Sequence, residues 1–261
     1  MGFNPYFHSA SFIYEELSDN DAFKVVGSSI EFVYFYGAGA SSESLKDIIK
    51  DGLQMVLPQA EINVDHDLVA SAYSTYTGEP AITCIIGTGS NSCFFDGEAV
   101  SEEVPALAYV LGDEGSASYI GKRLVSDFLY KKLPTEMAED FYNTYQLDKD
   151  EIITSVYNKP NANVYLASFS RFAGKHMQHP YVKKIVREGF EKFADIHIAC
   201  FNNCELVPVH FVGSVGAIFH EILEDVLAKR NMKLGQIMRK PVDGLIKYHL
   251  EYLKVLEAYK V

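Results

Sequence analysis

Four short stretches carry the residues whose types and spacing could do chemistry: Gly87-Thr88-Gly89-Ser90, Gly112-Asp113-Glu114-Gly115-Ser116, Asp65-His66-Asp67 and Gly213-Ser214-Val215-Gly216. The first interrupts an apolar run and is followed by a second one at Cys93-Phe94-Phe95. Glycines at the end of a strand let backbone approach a ligand without a Cβ in the way. Successive amides there form a concavity for an anion, and the hydroxyls of Thr88 and Ser90 add donors. The same letters also suit a tight hairpin that needs positive φ. They form neither a P-loop nor a G-x-G-x-x-G fingerprint.

Asp113 and Glu114 stand just before a helix that should begin near Ser116. They could cap that helix and complement its dipole. Alternatively, a rigid turn could hold a carboxylate ready to accept hydrogen bonds from substrate hydroxyls. Asp67 follows a short strand and precedes a helical pattern. It could be an N-cap, or a general base toward a hydroxyl; His66 beside it is assigned a structural place. The Gly213–Gly216 loop follows an apolar strand and precedes a helix. It suits either close approach of a flat adenosine or α-phosphate, or tight packing of strand on helix.

The elements that must position these residues follow from periodicity. Residues 30–36 are rich in β-branched and aromatic side chains and read as a buried strand. A glycine-rich turn follows, with Ser41 or Ser42 as N-cap, and then a helix over 43–57. A short strand over 60–65, a helix over 66–76 and a strand over 81–87 continue the alternation. This order predicts an α/β layer with parallel strands and right-handed crossovers. Asp96-Gly97 centres a hairpin over 92–100. Helices dominate from 115 to 204, the longest spanning 181–203. A last strand covers 232–239, and Pro241 opens a helix over 242–259. The aromatic clusters around Phe32, Phe35, Phe190, Phe193 and Phe201 are expected in the core.

Composition narrows the function classes. The chain has 261 residues, 48% hydrophobic and 22% charged, with a formal net charge of −12. A phosphate backbone needs a basic face, so nucleic acid is not an expected partner. No apolar run is long enough for a membrane span, and the N-terminus lacks a secretory pattern. The four cysteines, Cys84, Cys93, Cys200 and Cys204, include no C-x-x-C pair and read as free thiols in a reducing cytoplasm. His176 and His179 lack the spacing of a metal site and are expected at the surface.

The order of the motifs is an acid at a strand end, "GTGSNS", "LGDEGS" and a distal "VGSVG". It resembles that of the N-acetylglucosamine kinase and BadF/BcrA-type ATPase group of the actin-like sugar-kinase superfamily. The resemblance runs over essentially the whole chain. With "GFNP" and "YFYGAG" added, it is most similar to short bacterial members. It implies an α/β fold of two ribonuclease-H-like lobes around an ATP cleft. The N-terminal lobe is expected to be incomplete, since the family's D-x-G-x-T first phosphate loop occurs nowhere in the 261 residues. Residues 1–79 would form that lobe, completed by the helix 242–261, and 80–241 would form the C-terminal lobe.

By the same resemblance, Asp67 is the catalytic base, and Gly87, Thr88, Gly89 and Ser90 hold the ATP phosphates. Gly213, Ser214 and Gly216 hold the adenosine, and Asn4, Ala106, Leu107 and Asp113 contact the sugar. No metal-ligating residue is assigned. Ala106-Leu107-Ala108 stand where the group usually has a Gly-Gly-Trp-Gly-like run. The implied activity is ATP-dependent phosphotransfer to an amino sugar, N-acetylglucosamine kinase-like, with ATP and Mg²⁺ as cofactors. Asp67 and Gly89 would then face one crevice. The alternatives are a non-catalytic sugar- or nucleotide-binding remnant, and an activator ATPase of an acyl-CoA dehydratase that bridges an iron–sulfur cluster through cysteines. The expected partner is a small-molecule sugar, with no nucleic acid and no membrane, and a homodimer stays open.

Overall fold

The structure is a computed structural model that describes residues 2–259, with the side chains of 253–259 left out. Residue 1 and residues 260 and 261, at the limits of the spans expected for the N-terminal lobe, lie outside the described residues. The chain forms two compact units, Met1–Ala70 and Ser71–Val261.

In the first unit, helices α1 (Ala10–Ser18) and α2 (Asp21–Val26) precede strand β1 (Phe32–Gly37), helix α3 (Glu43–Val56) and strand β2 (Glu61–His66). β1 and β2 pair in parallel, from Phe32↔Glu61 to Gly37↔His66. The apolar stripe of α3 buries Ile49 and Leu53 against Ile13 of α1 and Ile62 of β2, with Leu57 and Ala60 closing the cluster. Ser42 occupies the residue before α3, but its hydroxyl meets that of Ser44 at 3.1 Å and does not cap the helix. β1 departs from the fully buried strand its composition predicts. Phe32 is 43% exposed and the other residues of the strand are half-buried, because each strand of a two-stranded sheet has one hydrogen-bonded neighbour.

Helix α4 (Asp67–Thr75) leads into the second unit. There β3 (Ala81–Ile86), β4 (Ser90–Phe95), β5 (Val100–Ser101), β6 (Pro208–Val212) and β7 (Lys233–Met238) form one sheet in the order β5-β4-β3-β6-β7. The parallel run expected through residues 81–87 therefore stops at β2. β3 opens a new sheet and pairs antiparallel with β4, from Ala81↔Phe95 to Ile86↔Ser90, because the short link between them allows a hairpin but no crossover. Its other neighbour, β6, is parallel, and so is β7 beyond it. The hairpin at Asp96-Gly97 forms as expected, with Gly97 at φ +107° and Asp96 Oδ1 accepting the amides of Glu98 and Ala99.

Between β5 and β6 lie α5 (Ala108–Leu111), α6 (Ala117–Leu129), α7 (Thr135–Tyr145), α8 (Lys149–Tyr157), α9 (Ala162–Ser168), α10 (Ser170–Lys175) and α11 (Pro180–Phe193). α12 (Ser214–Ile218) and α13 (His220–Ala228) separate β6 from β7, and α14 (Val242–Tyr259) follows Pro241. The core joins Ile82, Cys84 and Ile86 of β3 to Phe141, Phe169, Phe172, Phe190, Phe193 and Phe211. Helix α11 is shorter than the 181–203 expected. A π-turn over Ala194–Ile198 ends its regular course, so Cys200 and Cys204 sit in irregular turns and not on a helix. The four cysteines form no disulfide with one another. Among the described residues no helix is long and apolar enough to cross a membrane.

Candidate functional site

The link from β3 to β4 is a hairpin turn, yet not for the reason a hairpin would need glycine. Gly87 and Gly89 both lie outside the positive-φ region. Gly87 N–H donates to Gly89 O at 2.9 Å and closes the turn. The two carbonyls at its tip point at α6: Ala117 N–H donates to Gly87 O at 2.9 Å and Ser118 N–H to Thr88 O at 3.1 Å. In a planar trans peptide the C=O and the following N–H point in opposite directions. The amides of Thr88 and Gly89 are therefore turned away from α6. Among the described residues these two amides meet no acceptor. Two successive outward amides at an exposed tip are a geometry suited to an anion.

The glycines serve two different ends. A Cβ on Gly89 would stand 2.8 Å from Asp113 Oδ1, so the carboxylate lies directly over that residue. A Cβ on Gly87 would meet nothing within 4 Å. Neither backbone conformation nor packing demands glycine at 87, and the space beside it is open to a ligand.

Asp113 takes φ +57°, in the left-handed region, and is 9% exposed. Its Oδ1 accepts the Ser90 amide at 3.1 Å, and Ser90 Oγ donates to Glu114 O at 2.8 Å. Burial holds the Asp113 carboxyl above its ordinary pKa, opposed by the Ser90 amide and the nearby Lys122 charge. Neither acid caps the helix. The cap of α6 is Ser116, whose Oγ accepts the Tyr119 amide at 3.2 Å. Glu114 faces His197, with Oε2 and Nε2 3.5 Å apart. His197 is buried, and that burial lowers its pKa.

The loop after β6 reaches the same edge. Gly213 sits at φ +127°, and a Cβ there would lie 2.2 Å from Ile86 O and 3.2 Å from Gly87 N. Its own amide donates to Met238 O at 2.8 Å. Only glycine lets this loop lie against the end of β3. Ser214, exposed, opens α12, and Gly216 is buried; a Cβ built on it would meet Phe211 Cβ at an ordinary 3.6 Å. Gly87, Thr88, Gly89, Ser90, Asp113 and Gly213 thus meet at the carboxyl ends of the parallel strands β3 and β6, where α/β sheets bind ligands. Ala106 and Leu107 lie on the exposed approach to α5. Ala108 that follows them adopts φ +55°, in a stretch where the sequence has no glycine until Gly112.

In the first unit, Asn4 and Asp67 both lie at the carboxyl edge of the β1–β2 pair. Asn4 Oδ1 accepts the Tyr6 amide at 3.0 Å and presses on Gly39 of the loop after β1, where a Cβ would come within 2.5 Å. β2 runs straight into α4, so Asp67 is the first helical residue and not the residue before it. Its side chain is 40% exposed, and Oδ1 stands 3.0 Å from His66 Nδ1. The neighbouring Asp65 is engaged by Lys46 Nζ at 3.1 Å. Two groups that sequence reasoning left without a role therefore stand beside site residues. His66 is adjacent to Asp67 in sequence and could have been found. His197 lies 3.5 Å from Glu114 but carries no local signal. Among the described residues, no group of three or more His, Cys, Asp and Glu could hold a metal ion.

This architecture is shared with solved structures. A protein from Porphyromonas gingivalis, provisionally assigned as an N-acetylglucosamine kinase, matches at a TM-score of 0.90 and 36% identity over 95% of this chain and 88% of that one. A provisional N-acetylglucosamine kinase from Chromobacterium violaceum has the same fold, at a TM-score of 0.61 and 15% identity over 82% and 75%. So does the ROK hexokinase from Thermus thermophilus, at 0.51 and 15% over 95% and 89%. No family model and no curated protein matches the chain.

Proposed function

Because the chain belongs to the N-acetylglucosamine kinase-like group of the actin-like sugar kinases, we propose that it transfers the γ-phosphoryl group of ATP to a hydroxyl of an amino sugar such as N-acetylglucosamine. The observation that carries this reading is the outward pair of Thr88 and Gly89 amides beside the open space at Gly87. A protein with a net charge of −12 gains an anion site there without a basic surface.

ATP would supply the transferable group, and Mg²⁺ bound with it would offset the charge of its phosphates. Gly87, Thr88, Gly89 and Ser90 orient the β- and γ-phosphates. Gly213, Ser214 and Gly216 take the adenosine side. Asp113 accepts hydrogen bonds from sugar hydroxyls, with Asn4, Ala106 and Leu107 as further contacts. Asp67 accepts the proton of the attacking hydroxyl, its carboxylate steadied by His66. Catalysis of this kind is positioning plus electrostatics. We place the chain in a reducing cytoplasm, where its four cysteines would stay as thiols.

Asp67→Asn keeps the shape and removes the base. We expect it to cut turnover with ATP and N-acetylglucosamine by at least about a hundredfold, with both ligands still binding by calorimetry. Near-normal turnover in the variant removes Asp67 from the role. Sugar binding by the unmodified chain with no turnover would favour a binding module over a kinase.

A further inference from the structure

One buried polar cluster has no part in the phosphotransfer scheme. His197 stands on the π-turn Ala194–Ile198, closed by Ala199 N–H donating to Ala194 O at 2.9 Å. Turns of this kind are rare and concentrate at functional sites. The imidazole stacks on Phe193 with centroids 4.9 Å apart and planes 20° apart. Stacking alone asks for an aromatic ring and not for imidazole. The polar atoms of the residue point in two directions. Nε2 faces Glu114 Oε2 at 3.5 Å, and the backbone carbonyl accepts Ser92 Oγ at 2.6 Å. Ser92 lies on β4, two residues after Ser90, while Glu114 adjoins Asp113 in the turn that Ser90 binds. Nδ1 is buried without a partner among the described residues. A polar ring buried with one nitrogen unmatched is costly and is retained where the other nitrogen has a task.

We propose that His197 is a positioning residue of the sugar site: from the end of α11 it holds Glu114 and β4 together, and so fixes the turn that presents Asp113. The proposal rests on the reading of Asp113 as a sugar contact. It assigns His197 no contact with substrate.

The test compares His197→Leu, His197→Gln and Glu114→Ala in the full chain. Amide hydrogen exchange is read without ligand, and steady-state kinetics are read with ATP and N-acetylglucosamine. Leucine keeps the apolar packing and loses the link. It should speed exchange of the Ser90 amide and raise the sugar KM by about tenfold, less than the roughly hundredfold that ~1 Å of misplacement can cost. The KM for ATP should rise less than the KM for the sugar, since the outward Thr88 and Gly89 amides make no hydrogen bond to the Glu114 turn. Glutamine, whose amide nitrogen can reach the place of Nε2, should restore both readings. Glu114→Ala should reproduce the leucine variant, and it carries the comparison alone if leucine at 197 prevents folding. Unchanged exchange and KM in the leucine and alanine variants would overturn the proposal, as would a glutamine variant no better than leucine. If the unmodified chain shows no turnover, the kinase reading falls, and the exchange comparison still decides the link between His197 and Asp113.

Discussion

Asp113 keeps a carboxylate where burial disfavours the charge, in a backbone conformation that few side chains adopt. Its folded pKa lies above the ordinary value, so the folded state binds the proton more tightly than the unfolded chain does. Stability is then greatest below the unfolded pKa and declines as pH rises through the folded one. Asparagine tolerates the same backbone, still accepts the Ser90 amide and carries no charge. We expect Asp113→Asn to be no less stable than the unmodified chain at neutral pH, and to lose the part of the pH dependence that the carboxyl contributes, in thermal melts between about pH 4 and 8. Sugar binding should be lost in the same variant. A variant that is destabilised and still binds sugar would make Asp113 a structural residue. A place for Asp113 in the site came only from the resemblance, because two acids before a helix also have a plain use as caps. Of the two uses the sequence left open for the acids, capping is not the one taken: Ser116 supplies the oxygen. His197 was not legible at all, since its partners Ser92 and Glu114 come from β4 and from the turn before α6, and only packing brings them to the end of α11.

At the scale of elements, the junction of β3 with β6 separates the glycines the fold needs from those a ligand needs. Gly213→Ala forces a Cβ toward Ile86 O at a φ that alanine resists, and should destabilise the second unit by ~2 kcal/mol or more. Gly87→Ala meets neither obstacle. It should leave the unfolding free energy within ~1 kcal/mol of the original while weakening ATP binding, because the methyl group enters the open space that we propose for phosphate. Chemical denaturation paired with nucleotide calorimetry reads both effects. Equal loss of stability in the two variants would place Gly87 in the packing. Many strands and helices could be read from periodicity, α3 and α11 because each buries an apolar stripe, whereas α1 and α2 were not. The change of sheet between β2 and β3 could not, because an apolar strand looks the same whether its next neighbour is parallel or antiparallel. Helix α11 was overextended for a related reason. Its buried residues Val182, Val186, Phe190 and Phe193 continue their spacing into His197, and a π-turn leaves no mark in such a pattern.

At the scale of the molecule, an acidic mixed α/β chain gathers three loops, distant in sequence, on one edge of a five-stranded sheet. The sheet order explains the gathering: β3 is central, its hairpin carries Thr88 and Gly89, and its parallel neighbour β6 delivers Gly213. The central claim is that these loops are one ligand site for nucleotide and sugar. Amide hydrogen exchange of the full chain, alone and with Mg²⁺-ATP plus N-acetylglucosamine, tests it most directly. The Thr88 and Gly89 amides, unpaired among the described residues, should exchange fast in the free chain and become protected with ligand, together with residues 113–116 and 213–216. Binding that protects other segments and leaves Thr88 and Gly89 exchanging fast would contradict the account.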